Sequence, residues 1–314
     1  MTSLPAWIPV TIAAALFQAW RTAIQARLRH ELSASGAAFV RYFYALPLDV
    51  LMLAIAWWWF SVQGHGVGIE PKWSVAFLLY CLAGGVAQIF GTLFLILAFG
   101  HRNYLVGTAY AKTEAVQLVL LSVLVFGIAL PGWAVLGVLV SMVGVLWLSL
   151  PVEKFTLIGW LKLSIQPAAL YGLGAGFAFA LTALALREAS LTLDDQTPVL
   201  LKALLVLLIT NALQVGVQGS YMAGFARQDL RQCLIAWRRA LPVGMLSAIG
   251  SAAWFTGFSL TQVALVRGLG QVEVLFTLLF SHFYLHERFT RREVLALGLV
   301  AAGVVMIALS EQSN

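Results

Sequence analysis

The sequence predicts an all-α integral membrane protein of ten transmembrane helices, arranged as two inverted five-helix repeats. Three observations predict it: an apolar composition, continuous apolar runs of span length, and a pairing of rare residues between the two halves of the chain.

Of the 314 residues, 61% are hydrophobic and only 10% are charged, against roughly 25% charged in soluble domains. Mean hydropathy is +0.91. One core cannot hide that much apolar surface, so the solvent is itself apolar. Every backbone group must then bond internally, which leaves helices or a closed barrel. Barrel strands alternate apolar and polar residues; here the runs are continuous, so helices are expected. The formal charge of +6 fits basic loops at a membrane face, and no nucleic-acid partner is expected. Cys81 and Cys233 form no CxxC motif and read as small apolar fillers. The first Lys or Arg is Arg21, so the first apolar stretch lacks the basic start of a signal peptide and counts as a span.

A span needs roughly 20 apolar residues. Ten fit, at 7–26, 35–60, 73–99, 104–126, 133–150, 168–186, 196–217, 242–261, 264–285 and 294–309. They give a first repeat over 1–150, a connecting loop over 151–167 and a second repeat over 168–314. Turn or charge clusters separate them, such as Gly100-His101-Arg102-Asn103 and Leu130-Pro131-Gly132; the break between the eighth and ninth spans is the weakest. The connection 219–241 mixes Arg227, Arg231, Arg238 and Arg239 with Phe225, Leu230, Leu234 and Trp237. It reads as an interfacial amphipathic helix or a basic loop. Loops after odd-numbered spans hold twelve Lys and Arg residues. The opposite loops hold Lys72 and Arg187 alone. By the positive-inside rule the odd loops are cytoplasmic and both termini lie outside.

A shift of 159 residues lays the third-to-fifth spans on the eighth-to-tenth. Gly85 falls on Gly244, Phe99 on Phe258, Glu114 on Glu273 and Gly144 on Gly303. A shift of 161 places Arg41 on Lys202. Five spans per half force the second half to insert upside down, the plan of many secondary transporters.

Charge at membrane depth costs several kcal/mol on insertion scales, so it pairs or does work. Glu114 and Glu273 each lie about ten residues into a span, near mid-bilayer at roughly 1.5 Å per residue. They are the leading functional candidates: each can carry a proton, or serve as ion-pair partner to Lys112, Arg41, Lys202 or Arg267. Asn103, Gly107, Tyr110, Glu114 and Gln117 recur on one face of the fourth span, with Lys112 on another. Further polar stripes are Gln18, Arg21, Thr22 and Gln25; Gly85, Gln88 and Thr92; Asn211, Gln214 and Gln218; and Ser247, Ser251, Trp254 and Phe258. They suggest a shared hydrated cavity, with Trp20, Tyr110, Trp254 and Phe258 as aromatic walls; the alternative is polar glue between helices. Asp49 either pairs with Arg41 or lines the same cavity.

His282 and His286 stand four apart, a metal-capable spacing, but no third ligand is evident and no metal is expected. There is no nucleophile elbow or phosphate loop, so neither an enzyme nor a cofactor is expected. Gly172, Gly174 and Gly176 serve close packing.

The segment 274–309, with FSHFYLHERFTRREVLALGLVAAGVVMIAL, resembles the closing helix pair of EamA-type members of the drug/metabolite transporter superfamily. There a helix ends in a Glu-Arg-hydrophobic step, here Glu287-Arg288-Phe289, and a Gly-rich helix follows. In the first half, TEAVQLVLLSVLVFGIALPGWAVLGVLVSMVGVLWL is similar, with Gly127-Ile128-Ala129 at the step. FVRYFYALPL is similar to the family's Arg-aromatic opening, with Arg41 at the Arg position. The resemblance covers most of the chain in architecture, through short motifs. It implies ten helices in two inverted repeats, no ATPase, export or import of small metabolites, amino acids or drugs, and cytoplasmic termini, the opposite of the loop count. The first span, with Gln18, Trp20 and Arg21, departs from the family's small-residue start.

The expectation is therefore a secondary active transporter, efflux included, working by alternating access in a bacterial inner membrane. Its partners would be membrane lipids and a small-molecule substrate, with protons as candidate coupling ions, and it would act as a monomer or homodimer. Glu114 and Glu273 would sense protons or a cationic group. Arg21, Arg41, Lys112 and Lys202 would balance them or hold an anion. Gln18, Gln88, Tyr110 and Trp254 would line the site. The midplane cations Arg21, Arg41, Lys112, Lys202 and Arg267 outnumber Asp49, Glu114 and Glu273, which favours an anionic or zwitterionic metabolite. The alternatives are a channel-like facilitator and a non-catalytic membrane scaffold.

Overall fold

The computed structural model describes residues 4–28, 31–63, 74–99, 109–125, 127–149, 165–285 and 290–310. Their regular structure is helical throughout, without strands. We number the helices α1 (Trp7–Leu28), α2 (Ala34–Phe43), α3 (Leu46–Val62), α4 (Val75–Phe99), α5 (Glu114–Leu124), α6 (Gly132–Ser149) and α7 (Pro167–Leu191). There follow α8 (Val199–Phe225), α9 (Arg227–Ile235), α10 (Trp237–Leu260), α11 (Val263–Leu269), α12 (Glu273–Leu285) and α13 (Arg291–Ser310). By length and composition, seven segments of the described residues can cross a membrane: Ala34–Val62, Val75–Ala98, Pro167–Leu191, Val199–Phe225, Trp237–Leu260, Val263–Phe280 and Arg291–Ser310. The protein is an all-α integral membrane protein.

Several expected spans change shape. The second is two helices, because Pro47 cannot continue α2 and instead opens α3 within its first turn. The seventh runs on to Phe225, and the amphipathic connection shrinks to α9 (Arg227–Ile235) before α10 resumes at Trp237. The weak break between the eighth and ninth spans falls at Thr261 and Gln262. Arg187, counted as a loop charge, lies inside α7, where its guanidinium donates to the Phe258 and Thr261 carbonyls at the end of α10. A cation there suits a helix C-terminus.

The chain divides into two compact units, each drawing on both halves of the sequence. The first comprises Met1–Ile89 and Leu181–Gln262. In it α1 packs along α10, while α8 packs on α3, α2 and α10. A Cβ on Gly244 of α10 would strike the backbone of Tyr44, so glycine lets α10 pass directly over the end of α2. Phe39, Val40, Met222 and Val243 form an apolar core around Cys233.

The second unit comprises Phe90–Ala180 and Val263–Asn314. Its main contact is α6 on α13. Gly137, Gly144 and Gly303 carry it: a Cβ on Gly137 would lie 2.7 Å from the Gly303 carbonyl, and one on Gly144 would lie 2.8 Å from the Ala296 carbonyl. Lipid supplies no hydrophobic drive between helices, so small residues and close backbones do the joining. α11 packs on α5 and α13.

Candidate functional site

The fourth and ninth expected spans are each broken just before their glutamate. The fourth is helical over 109–111, turns at Lys112 and Thr113, and resumes at Glu114. The amides of Lys112 and Thr113 donate back three residues, to the Ala109 and Tyr110 carbonyls, at 3.1 Å each. The ninth turns through a 3-10 segment, Gly270–Val272, and resumes at Glu273, whose amide donates to the Gly270 and Gln271 carbonyls. A 3-10 turn winds three residues per turn instead of 3.6. It therefore rotates everything after it relative to an uninterrupted helix.

That rotation corrects one reading of the sequence. A regular helix sends Lys112 away from the Glu114 face, whereas the turn brings both into one cluster. Lys112 Nζ donates to Glu273 Oε2 at 2.6 Å. Arg267 Nε lies 2.9 Å from Glu114 Oε1. Lys112 and Glu273 also act electrostatically on Glu114. The result is a quartet of two crossed ion pairs, each joining a residue of the first sequence half to one of the second, all within the second unit. Side-chain exposure runs from 10% at Glu273 to 26% at Lys112, so the pairs are sheltered but reachable. Both glutamates open their helices, where the helix dipole favours negative charge.

The surroundings are built to hold the turn. Thr113 Oγ1 donates to the Tyr110 carbonyl at 2.6 Å and accepts from Gln117 Nε2 at 2.9 Å. Gln117 also donates to the Leu173 carbonyl of α7 at 3.3 Å. Gly176 of α7 sits against the turn itself: a Cβ there would lie 3.0 Å from the Ala111 carbonyl and 3.2 Å from the Glu114 amide. Tyr110 is buried and packs on Ala169 with Leu146 and Leu173.

The other expected site residues fall in the first unit. Trp254 Nε1 donates to Gln18 Oε1 at 2.9 Å, and its ring stacks on Phe258 at 6.1 Å. Arg21 is buried one turn along α1 from Gln18. Arg41 lies over the Tyr42 ring, 5.5 Å from its centroid. Lys202 is 3.7 Å from Asp195 and donates to the Leu193 carbonyl. The glutamates are thus paired with Lys112 and Arg267 rather than with Arg41 or Lys202. Asp49 is held by Asn211 of α8, at 2.7 Å, and not by Arg41. Gln88 accepts from Gln214 at 2.8 Å. Gln214 also donates to the Gly85 carbonyl, and Gln218 donates to Ser35. The stripe on the seventh span therefore acts as polar glue between helices. Gln271, in the 3-10 segment, escaped the sequence reading, and Gly176, read there as a packing residue, packs on the turn of the site. The spacing of Lys112, Gln271 and the glutamates under the 159-residue shift was the available signal. His286, the His282 side chain and Glu287-Arg288-Phe289 lie outside the described residues.

Comparison with known proteins gives a match over part of the chain. Residues 166–309 match the EamA-like transporter family. A solved structure titled "Crystal structure of protein" superposes with a TM-score of 0.68 at 14% identity, covering 97% of this chain and 96% of that one, which is a likeness of fold. No curated protein matches the sequence. Over residues 166–309 the chain is thus similar to the EamA-like transporter family, a family of membrane transporters.

Proposed function

We propose that this protein is a secondary active transporter of a small zwitterionic or anionic metabolite, amino-acid-like in charge, that binds at the Lys112–Glu114–Arg267–Glu273 quartet. Ten spans in two inverted repeats, 1–150 and 168–314 joined by 151–167, would alternate access in a bacterial inner membrane. The observation that carries the reading is the pair of broken helices with crossed ion pairs. Under the 159-residue shift the breaks coincide and both helices resume on the matched glutamate. Discontinuous helices at corresponding positions of two halves mark substrate sites in inverted-repeat transporters.

The chemistry follows from exchange. A carboxylate entering the quartet replaces a glutamate on Lys112 or Arg267, and an ammonium replaces a cation on Glu114 or Glu273. Each protein charge trades one partner for another, so binding leaves no charge uncompensated in a low-dielectric site. A proton on either glutamate would free its cation for an anionic substrate in the same way.

Counterflow in proteoliposomes tests this against a panel of zwitterions, anions and cations. Saturable counterflow of a zwitterion or anion, lost in Lys112→Gln and Glu273→Gln, is expected. Flux without saturation makes the chain a channel, and no flux for any solute makes it a scaffold. Transport with normal pH dependence in both Glu114→Gln and Glu273→Gln removes the proton-sensing role.

A further inference from the structure

The short helix α9 (Arg227–Ile235) lies between one membrane-spanning segment that ends at Phe225 and another that begins at Trp237. Both neighbouring ends are ends of spans, so α9 sits at the bilayer surface. Its inner face is closed by packing. Cys233 is buried in the apolar core, Asp229 accepts from the Ser33 hydroxyl, and Tyr44 donates to the Cys233 carbonyl. Its outer face carries Arg227, Gln228, Arg231, Leu234 and Ile235, all exposed. At 3.6 residues per turn they fall within an arc of about 120°. Phe225 and Trp237 flank that face, 84% and 48% exposed.

That surface fits neither water nor hydrocarbon. In water its large apolar side chains would form an exposed patch, and in hydrocarbon its arginines would be costly. Interleaved arginines and large apolar side chains suit the headgroup level, where apolar groups rest on acyl chains and guanidinium groups reach phosphate. The charge then selects the lipid. The acids nearby are taken: Asp229 by Ser33, and Glu31 by Arg239. Arg227 donates through Nε to the Ala223 carbonyl and keeps its charge. Arg238 lies over the Trp237 ring, 5.3 Å from its centroid. Among the described residues, Arg227, Arg231 and Arg238 have no acidic partner. Where α9 turns into α10 at Ala236, a cleft of about 370 Å³ opens, lined by Gln232, Ile235, Trp237 and Arg238 and by Glu31 and Leu32 ahead of α2.

We propose that α9 and the start of α10 bind an anionic phospholipid, with its headgroup at the cleft beside Arg238 and Gln232, its negative charge shared with Arg231, and its acyl chains along Ile235 and Trp237. A zwitterionic lipid brings its own cation and leaves the three arginines uncompensated. A soluble anion or an acidic peptide leaves the apolar half of the face uncovered. The site lies in the first unit, whereas the quartet lies in the second, and it does not rest on the transport reading.

The test is native mass spectrometry of the purified, delipidated full-length protein in neutral detergent, titrated with dioleoyl phosphatidylglycerol or dioleoyl phosphatidylcholine. Saturable binding of phosphatidylglycerol is expected, at least tenfold tighter than phosphatidylcholine and weakened by salt. Arg231→Gln and Arg238→Gln should each weaken phosphatidylglycerol about fivefold, and the pair together about 25-fold, with phosphatidylcholine unchanged. Ile235→Ser should weaken both lipids alike. Arg291→Gln, which removes an exposed arginine from the start of α13, should change nothing. Equal affinity for the two lipids overturns the site, and so does an equal loss in Arg291→Gln, which would make the binding a general effect of net charge. Displacement of the lipid by glycerol phosphate at equal concentration would make the cleft a soluble-anion site. Binding of a glutamate-rich peptide in place of phosphatidylglycerol would make the face a protein interface. Either result overturns the proposal. If Arg238→Gln does not fold, Arg231→Gln decides, and an unchanged phosphatidylglycerol affinity there overturns the site. Counterflow is measured separately, so the lipid site and the substrate site can each fail alone.

Discussion

Breaking the Lys112–Glu273 pair should cost more than removing either residue's own contribution. At 2.6 Å, two unit charges attract by about 6 kcal/mol at an effective dielectric of about 20. Desolvation of both groups and the ordering of a long lysine side chain offset several kcal/mol of that. A net coupling of about 1–3 kcal/mol remains, above the 0–1 kcal/mol of exposed pairs because both side chains are largely sheltered. The measurement is a double-mutant cycle with Lys112→Gln, Glu273→Gln and both together, read as unfolding free energy in detergent. Each single variant should lose more than about 1 kcal/mol by leaving a charge behind, and the double should recover at least about 1 kcal/mol of the sum. Additivity within about 0.5 kcal/mol would refute the pair as a working interaction and the exchange argument with it. Arg267→Gln with Glu114→Gln forms the matching cycle, with a similar coupling at 2.9 Å.

Three further outcomes follow from packing and burial. Gly303→Ala should destabilise the protein by about 1–3 kcal/mol, because its Cβ would meet the Gly137 carbonyl and lie 2.6 Å from the Ser141 amide, both backbone atoms that cannot swing aside. A Tm equal to wild type would contradict that crossing. Burial, with Asp229 nearby, pushes the Cys233 thiol up to about 11, so its thiolate is scarce at neutral pH. Maleimide labelling of the folded protein should be negligible at pH 7 and rise with pH, and rapid labelling at pH 7 would show an open site. Trp254→Phe should cost about 1 kcal/mol through the lost bond to Gln18, with no change expected if that bond is absent in solution.

The helices were legible from composition and run length, since both depend on counting apolar residues. The glutamates were legible because charge is rare at membrane depth, and their partners Lys112 and Arg267 were among the candidates. What the sequence hid was rotation. Constant helical periodicity put Lys112 on the wrong face, because nothing in Ala-Lys-Thr-Glu announces a 3-10 turn; such a turn is stabilised by tertiary contacts from α7. Asp49 was open between Arg41 and the polar cavity, whereas its partner Asn211 lies 162 residues away. An amide can reach a carboxylate from any helix packed against it, and spacing within one helix carries no information about that.

The same contacts from α7 explain why a glycine inside a helix is part of the site. Among the three glycines of that stretch, Gly174 faces Phe94, at 3.3 Å for a Cβ, while Gly176 faces the backbone of the Lys112–Glu114 turn. Phenylalanine can tilt; a carbonyl and an amide locked in a 3-10 turn move only with the turn. Gly176→Ala would set its Cβ 3.0 Å from the Ala111 carbonyl and 3.2 Å from the Glu114 amide, so the turn must shift by a few tenths of an ångström. Stability should fall by less than about 1.5 kcal/mol, since the movement is small and alanine is the better helix former. Transport should fall more steeply, by about tenfold, because the shift displaces Glu114 against Arg267 where geometry sets the exchange of partners. Gly174→Ala is the control, with the same helix and the same added methyl but no contact with the turn. If both variants transport alike, the turn does not position the quartet, and the broken helix is a packing accident rather than part of the substrate site.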